Sequence, residues 1–242
     1  MREIKDRKIE WQEGLWKYFK MERFISTLET GQIYFASANQ FTDTFEGAVA
    51  VQMDAAPVDP RYADMDLGER AFFELKRLTK INCWHRASYE SDAMWKLYAG
   101  ENKGIAICTT PERMRAAFSP LRLRADYGIE DLWAGPVDYV DLTQIRMRGA
   151  GMLDRFFFKH RAFEWEREFR LAISLRMAEE FGVAVPADGI SVPVDLSVLI
   201  ERIVLGSTIS QEEREIVTRH VEGVGLGDLL QRSSLLGRPR YV

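Results

Sequence analysis

Lys159 to Leu175 reads KHRAFEWEREFRLAISL, and the placement of the rest of the chain turns on this stretch. An aromatic, basic run converges on Glu164, Glu166 and Glu168 and then gives way to apolar alternation. From Glu166 onward the period is two, that of a strand. Glu166, Glu168 and Arg170 then share one face, and Phe169, Leu171 and Ile173 the other. Two acids and a guanidinium at the entry of an apolar strand cost desolvation energy unless they pair or do chemistry, and arginine is the cation best shaped to hold a carboxylate. Glu168 and Arg170 are therefore either a structural ion pair at a sheet end or the centre of a site.

Moving outward from this strand, Asp141 to His160 reads as helical, with Gly149 and Gly151 able to divide it, and delivers Phe156, Phe157, Phe158 and Lys159 beside the acids. Downstream come a short helical piece at Met177–Gly182, strands at Ile190–Val194 and Ile200–Leu205, and a helix at Gln211–Glu222 opened by the capping pair Ser210 and Glu213. Leu229–Leu236 reads as an edge strand.

Upstream, Met21–Thr30 has helical spacing and ends at Gly31, which suits the left-handed residue after a helix. Ile33–Ala36 is a strand, and SANQFTDTFEG follows as a polar loop pinned by Phe41 and Phe45 and carrying Asp43 and Glu46. Such a loop walls a ligand cleft or is a plain turn scaffold. Gly47–Met53 is a weak strand, Asp54–Asp66 an acidic loop, Leu67–Lys80 a helix and Ile81–Trp84 a strand. Ser91 caps a helix bearing Met94, Leu97 and Tyr98, Ile105–Thr109 is a strand, and Thr110-Pro111-Glu112 starts a further helix. Arg113 and Arg115 on that helix, with Arg122 and Arg124 on an alternating strand, form a modest basic patch: solvated surface, or a phosphate or RNA contact.

Lys17 lies among Leu15, Trp16, Tyr18 and Phe19, so its ammonium must reach water or meet an anion. His85 and Arg86 precede Trp95 and Tyr98. Aromatics at that spacing are usually core, but rings beside a cation also suit a flat, charged ligand such as a nucleotide.

Composition bounds these readings. The chain has 242 residues, 46% of them hydrophobic, and a net charge of -4, which fits one large domain over 1–242 and gives no whole-protein basic footprint for nucleic acid. Cys83 and Cys108 lie in strand-like runs and, with no signal peptide, read as reduced thiols of a cytoplasmic protein. No apolar run approaches the roughly 18 residues of a membrane span. His85, His160 and His220 lack a paired metal-ligand spacing, so no metal is expected. Roughly nine or ten short strands interleave irregularly with helices, which indicates α+β with mixed, largely antiparallel sheets. There is no GxGxxG, Walker loop or GxSxG elbow.

Three segments then carry a resemblance: LWKYFKMERFISTLETGQIYFASANQFTDTFEG (15–47), CWHRASYESDAMWKLYAGENKGIAI (83–107) and KHRAFEWEREFRLAI (159–173). In this order they resemble the hallmark segments of a bacterial family catalogued as domain of unknown function 2971 (DUF2971), and IERIVLGS near the end also fits. Thr42 and Thr44 stand where the family loop usually has Asn and Pro, while Asp43, Phe45 and Glu46 are retained. The segment order is also similar to that of ADP-ribosyltransferase-like proteins. That likeness implies Glu168 as the catalytic carboxylate with Glu166 as its substitute, Trp95 and Tyr98 stacking on the nicotinamide or adenine of NAD, and Lys17, His85 or Arg170, with Tyr18 beside them, holding the pyrophosphate. NAD would be a substrate and not a resident cofactor. A second expectation is a noncatalytic nucleotide- or RNA-sensing module of a phage-defence system. A third is a metal-assisted nuclease using Asp43, Glu46, Glu166 and Glu168.

Overall fold

Local signals set most helix ends. In the computed structural model, which describes residues 1–49, 65–100, 102–147, 150–236 and 240, Gly31 has φ +62° and closes the first helix as its sequence requires. Ser91, Thr110 and Ser210 each accept a backbone N–H at a helix start. The expected acidic loop at 54–66, except its last two residues, the end of the weak strand at 47–53 and the break at Gly149 lie outside the described residues.

In chain order the strands are β1 (Arg2–Glu3), β2 (Leu15–Phe19), β3 (Gln32–Ser37), β4 (Thr79–Arg86), β5 (Ile105–Thr109), β6 (Trp133–Pro136), β7 (Asp138–Val140), β8 (Phe158–His160), β9 (Glu168–Ser174), β10 (Ile190–Pro193), β11 (Arg202–Leu205) and β12 (Leu230–Arg232). The helices are α1 (Met21–Thr30), α2 (Met65–Leu78), α3 (Asp92–Tyr98), α4 (Pro111–Ala117), α5 (Arg176–Glu180), α6 (Leu196–Leu199) and α7 (Gln211–Gly223). Antiparallel pairs predominate, with parallel pairing of β1 with β6, β7 with β8 and β11 with β12, so the fold is α+β with a mixed, mostly antiparallel sheet. Among the described residues no helix is long and apolar enough to cross a membrane.

The chain, read as one domain from its length, gathers into two compact units. The first comprises Met1–Ile9, Tyr34–Cys83 and Pro120–Val192. Its strands run in the order β10, β3, β4, β9, β6, β1, with β7 and β8 as a separate ribbon. Ile4, Ala38, Ile81, Phe156, Phe157 and Ala172 form an apolar cluster there, and β9 is buried on both faces. The second comprises Glu10–Ile33, Trp84–Ser119 and Pro193–Val242, in which β2 lies between β5 and the end of β4, and β11 continues from β5 to β12. Trp16, Tyr18, Met94, Trp95, Ala106, Cys108 and Val204 pack together in it.

Three expectations fail locally. Among its described residues Asp141–His160 is not an α-helix: it forms turns, a 3-10 turn at Asp154–Phe157 and then β8, with Phe156 and Phe157 drawn wholly into the core. Arg122 and Arg124 lie in irregular chain and not on a strand, each held locally, Arg122 by Tyr127 O at 2.9 Å and Arg124 by Asp126. The last expected strand shortens to β12, followed by a 3-10 turn at Ser234–Leu236.

Candidate functional site

The site is built on β9, but the strand begins at Glu168, two residues later than its alternation suggests. Glu166 instead ends a 3-10 turn, Arg161–Glu166, and Arg167 sits in the left-handed region at φ +44°. That reversal, unusual for a residue with a Cβ, breaks the strand period between the two acids. Lys159 at the centre of β8 then reaches both: its Nζ donates to Glu166 Oε2 and, at 2.7 Å, to Glu168 Oε1. The Phe163 ring on the turn lies 4.6 Å from the same ammonium.

Arg170 is fully buried. Its Nε donates to Glu168 Oε2 at 2.6 Å, and its two terminal nitrogens form a fork on Glu46, 2.5 Å to Oε1 and 2.9 Å to Oε2. Nη1 also donates to Phe156 O at 2.6 Å, and the Phe41 ring lies 5.7 Å from the guanidinium. The loop carrying Glu46 is shaped by Asp43, whose Oδ1 accepts the Phe45 N–H at 2.8 Å. Gly47 closes that loop at φ +76°, where an added Cβ would stand 2.6 Å from the Phe156 ring. Tyr139 on β7 completes the shell, its hydroxyl accepting the Glu168 N–H at 2.7 Å.

Two cations and three carboxylates are thus enclosed together, and the balance sets their protonation. Burial works against ionised Glu168, but Arg170 and Lys159 outweigh it and hold its carboxyl well below the usual range. Burial, a hydrogen bond with Glu168 and the charge of Glu168 push Glu166 up to about 7. Burial also pushes Glu46 up, against the pull of Arg170. The arginine itself stays charged, since Glu168 and Glu46 more than offset its desolvation. Neighbouring carboxyls driven to opposite protonation states are the arrangement that acid–base chemistry uses. The same set, fully satisfied, is also what a structural ion network requires.

Glu166, Glu168 and Arg170 are therefore brought together as the sequence suggests, with Lys159 among them. The other predicted ligand-binding residues, Lys17, Tyr18, His85, Trp95 and Tyr98, belong to the second unit. Trp95, expected to stack on a ligand, is wholly enclosed: Tyr18 meets it edge-on at 5.1 Å and its Nε1 donates to Glu90 Oε2 at 2.8 Å. The Tyr18 hydroxyl accepts the Ser91 N–H at 2.8 Å, and His85 is buried on β4 in register with Trp16. The Lys17 ammonium sits 5.5 Å from the Trp84 ring, a cation–π contact. Tyr98 alone of these is exposed. Of the basic patch, Arg113 caps α6 through Ile200 O at 2.8 Å and Arg115 covers Trp11.

Sequence reasoning groups Glu46 with Glu166 and Glu168 only in the metal-assisted reading and does not pair it with Arg170, and it does not place Tyr139 in the site at all. A lone acid in an Asp-x-Phe-Glu loop carries no signal of an arginine 124 positions away. Glu46 and Glu168 already hold cations through both oxygens, which removes them from the metal-assisted reading, and no cluster of three metal-ligating side chains occurs among the described residues. Two hollows lie apart from these acids. One of about 360 Å³ is lined by Leu28, Glu29, Arg219, His220, Gly223 and Val224. The other, of about 340 Å³, has Arg7 facing Asp6, Asp138 and Asp154.

No family model, curated protein or solved structure matches the chain.

Proposed function

We propose that the first unit carries a glycosyl-transfer site of the ADP-ribosyltransferase or NAD-cleaving kind, with NAD as substrate, and that the chain belongs with the DUF2971 proteins whose segments it resembles. The observation that supports this is the pair of carboxyls on one ammonium, Glu168 ionised and Glu166 near its midpoint at neutral pH. In such a reaction the bond between ribose C1′ and the nicotinamide nitrogen breaks, its electron pair leaving with nicotinamide. Glu168 stabilises the cationic sugar, and ionised Glu166, drawn inward where that positive charge offsets its own, takes the proton of the attacking hydroxyl as the new C1′–O bond forms. Purified protein incubated with NAD is expected to release nicotinamide, and Glu168→Gln to lower turnover by about a hundred- to a thousandfold with binding retained. The absence of both nicotinamide release and a rise in unfolding temperature with NAD removes the reading.

A noncatalytic nucleotide- or RNA-sensing module is favoured by a different observation. Both oxygens of Glu168 are occupied by Lys159 and Arg170, and the residue is 5% exposed. Nucleotide binding without turnover, unchanged in Glu168→Gln, supports this alternative.

A further inference from the structure

The enclosed charges do not balance unless one proton is held among them. Arg170 and Lys159 face Glu46, Glu166 and Glu168, so with every carboxyl ionised one negative charge is left uncompensated in a dry site. The three carboxylates differ in how firmly they are held. Glu46 lies in the fork of a fully buried arginine, and Glu168 is fixed in β9 by two cations. Glu166 stands at the end of a short turn whose Arg161, Ala162, Glu164 and Trp165 all face solvent. Glu166 and Phe163, both on Lys159, tie the turn inward, while the Arg161–Glu164 ion pair is internal to it. The turn ends in the left-handed Arg167, a conformation that costs energy for any residue but glycine.

We infer that the Arg161–Glu166 turn is a proton-operated door over Lys159 and Glu168, closed while the Glu166–Glu168 pair holds a proton and released outward when that proton leaves. The inference rests on the site proposed above and supplies what that site lacks, a route by which a substrate reaches a buried carboxylate. Ionised Glu166 next to ionised Glu168 repels it across a low-dielectric space, and the smallest movement that relieves this is rotation of Glu166 into water. Burial and the Glu168 charge bring Glu166 to about 7, so the door answers near neutrality.

The charged and titratable groups around Glu166 are Lys159 on β8, Glu168 and Arg170 on β9, Tyr139 on β7, Glu46 on its loop, and Arg161, Glu164, Arg167 and His160 at the turn itself. Tyr139 is held above its ordinary range by burial and by Glu168, and so keeps its proton in this window. His160 opens the turn, its Nδ1 accepting the Ala162 N–H at 3.2 Å and its Nε2 lying 3.8 Å from Asp141 Oδ1.

Backbone amide exchange of residues 162–167, followed from pH 5 to 8 without nucleotide and corrected for intrinsic rates, tests this. The opening equilibrium is expected to rise about tenfold per pH unit up to about pH 7 and then level off, while β9 amides stay protected. Glu166→Gln should flatten the profile, His160→Asn, which keeps an acceptor for Ala162, should leave it, and Phe163→Ala should raise opening at every pH with the slope retained. An opening constant independent of pH in the unaltered protein, a slope that survives Glu166→Gln, or one that vanishes in His160→Asn overturns the door. The readout needs no substrate, so a pH-dependent opening without NAD cleavage removes the enzyme reading and leaves the door, whereas cleavage with no opening does the reverse.

Discussion

The first unit buries charge, and the second buries rings. Around β9 an arginine, a lysine and three glutamates fill the space that apolar side chains would otherwise take, each satisfied by another. Around β2 and α3 the comparable space holds Trp16, Tyr18 and Trp95, with one acid, Glu90, gathering the Trp95 N–H and the Ser233 and Ser234 hydroxyls. Both kinds of interior are full, but the first is held mainly by paired charges and the second mainly by packed rings. Ring packing depends on shape, which pH does not touch, whereas a charge network depends on a count.

The strongest way to break the comparison is to remove one charge. Arg170→Met leaves Glu46 enclosed without its cation and Glu168 with Lys159 alone, and is expected to cost about 3–5 kcal/mol in urea unfolding. Adding Glu46→Gln should recover part of that, since a neutral pair needs no counter-charge. The corresponding change in the second unit, Trp95→Phe, loses volume and the bond to Glu90 and should cost less, about 1.5–3 kcal/mol.

A pH titration of stability sharpens the contrast. Glu166 binds its proton more tightly folded than unfolded, so its contribution is fully present below the ordinary carboxyl range and is lost as pH rises toward about 7. Wild type is expected to lose about 1–3 kcal/mol across that window through this group, and Glu166→Gln to lose none of it. Glu168 acts in the reverse sense, its contribution being lost only as pH falls through its depressed folded value. No such slope between those limits is expected from the aromatic cluster.

The smallest effect compares like with like. Each unit uses a tyrosine hydroxyl to accept a backbone N–H, Tyr139 from Glu168 and Tyr18 from Ser91. Tyr139→Phe and Tyr18→Phe should each cost about 1 kcal/mol. A cost several times larger for Tyr139 would mean that Glu168 depends on that anchor for its place beside Lys159.

Much of the fold was legible because its signals are local. α1 with Gly31, the caps at Ser91, Thr110 and Ser210, and the apolar runs of β5 and β11 all follow from spacing and cap chemistry over a few residues. Reading failed where tertiary burial overrode local preference, as at 141–160, where the core takes Phe156 and Phe157 in a 3-10 turn. It failed again at Trp95, because an aromatic beside a cation looks the same in sequence whether its faces are open or covered.

The candidate site divides the same way. Alternation along 168–174 was enough to place Glu168 beside Arg170, since residues two apart on a strand must share a face. Sequence alone also brought Lys159 next to them. Only the folded chain supplied Glu46 to the far side of the guanidinium and turned Arg167 left-handed so that Glu166 comes to Lys159 from a different element. The protonation of Glu166 could not have been read from the letters, because an acid's proton affinity depends on the charges and the dryness around it, and both are set by residues that only the tertiary fold brings near.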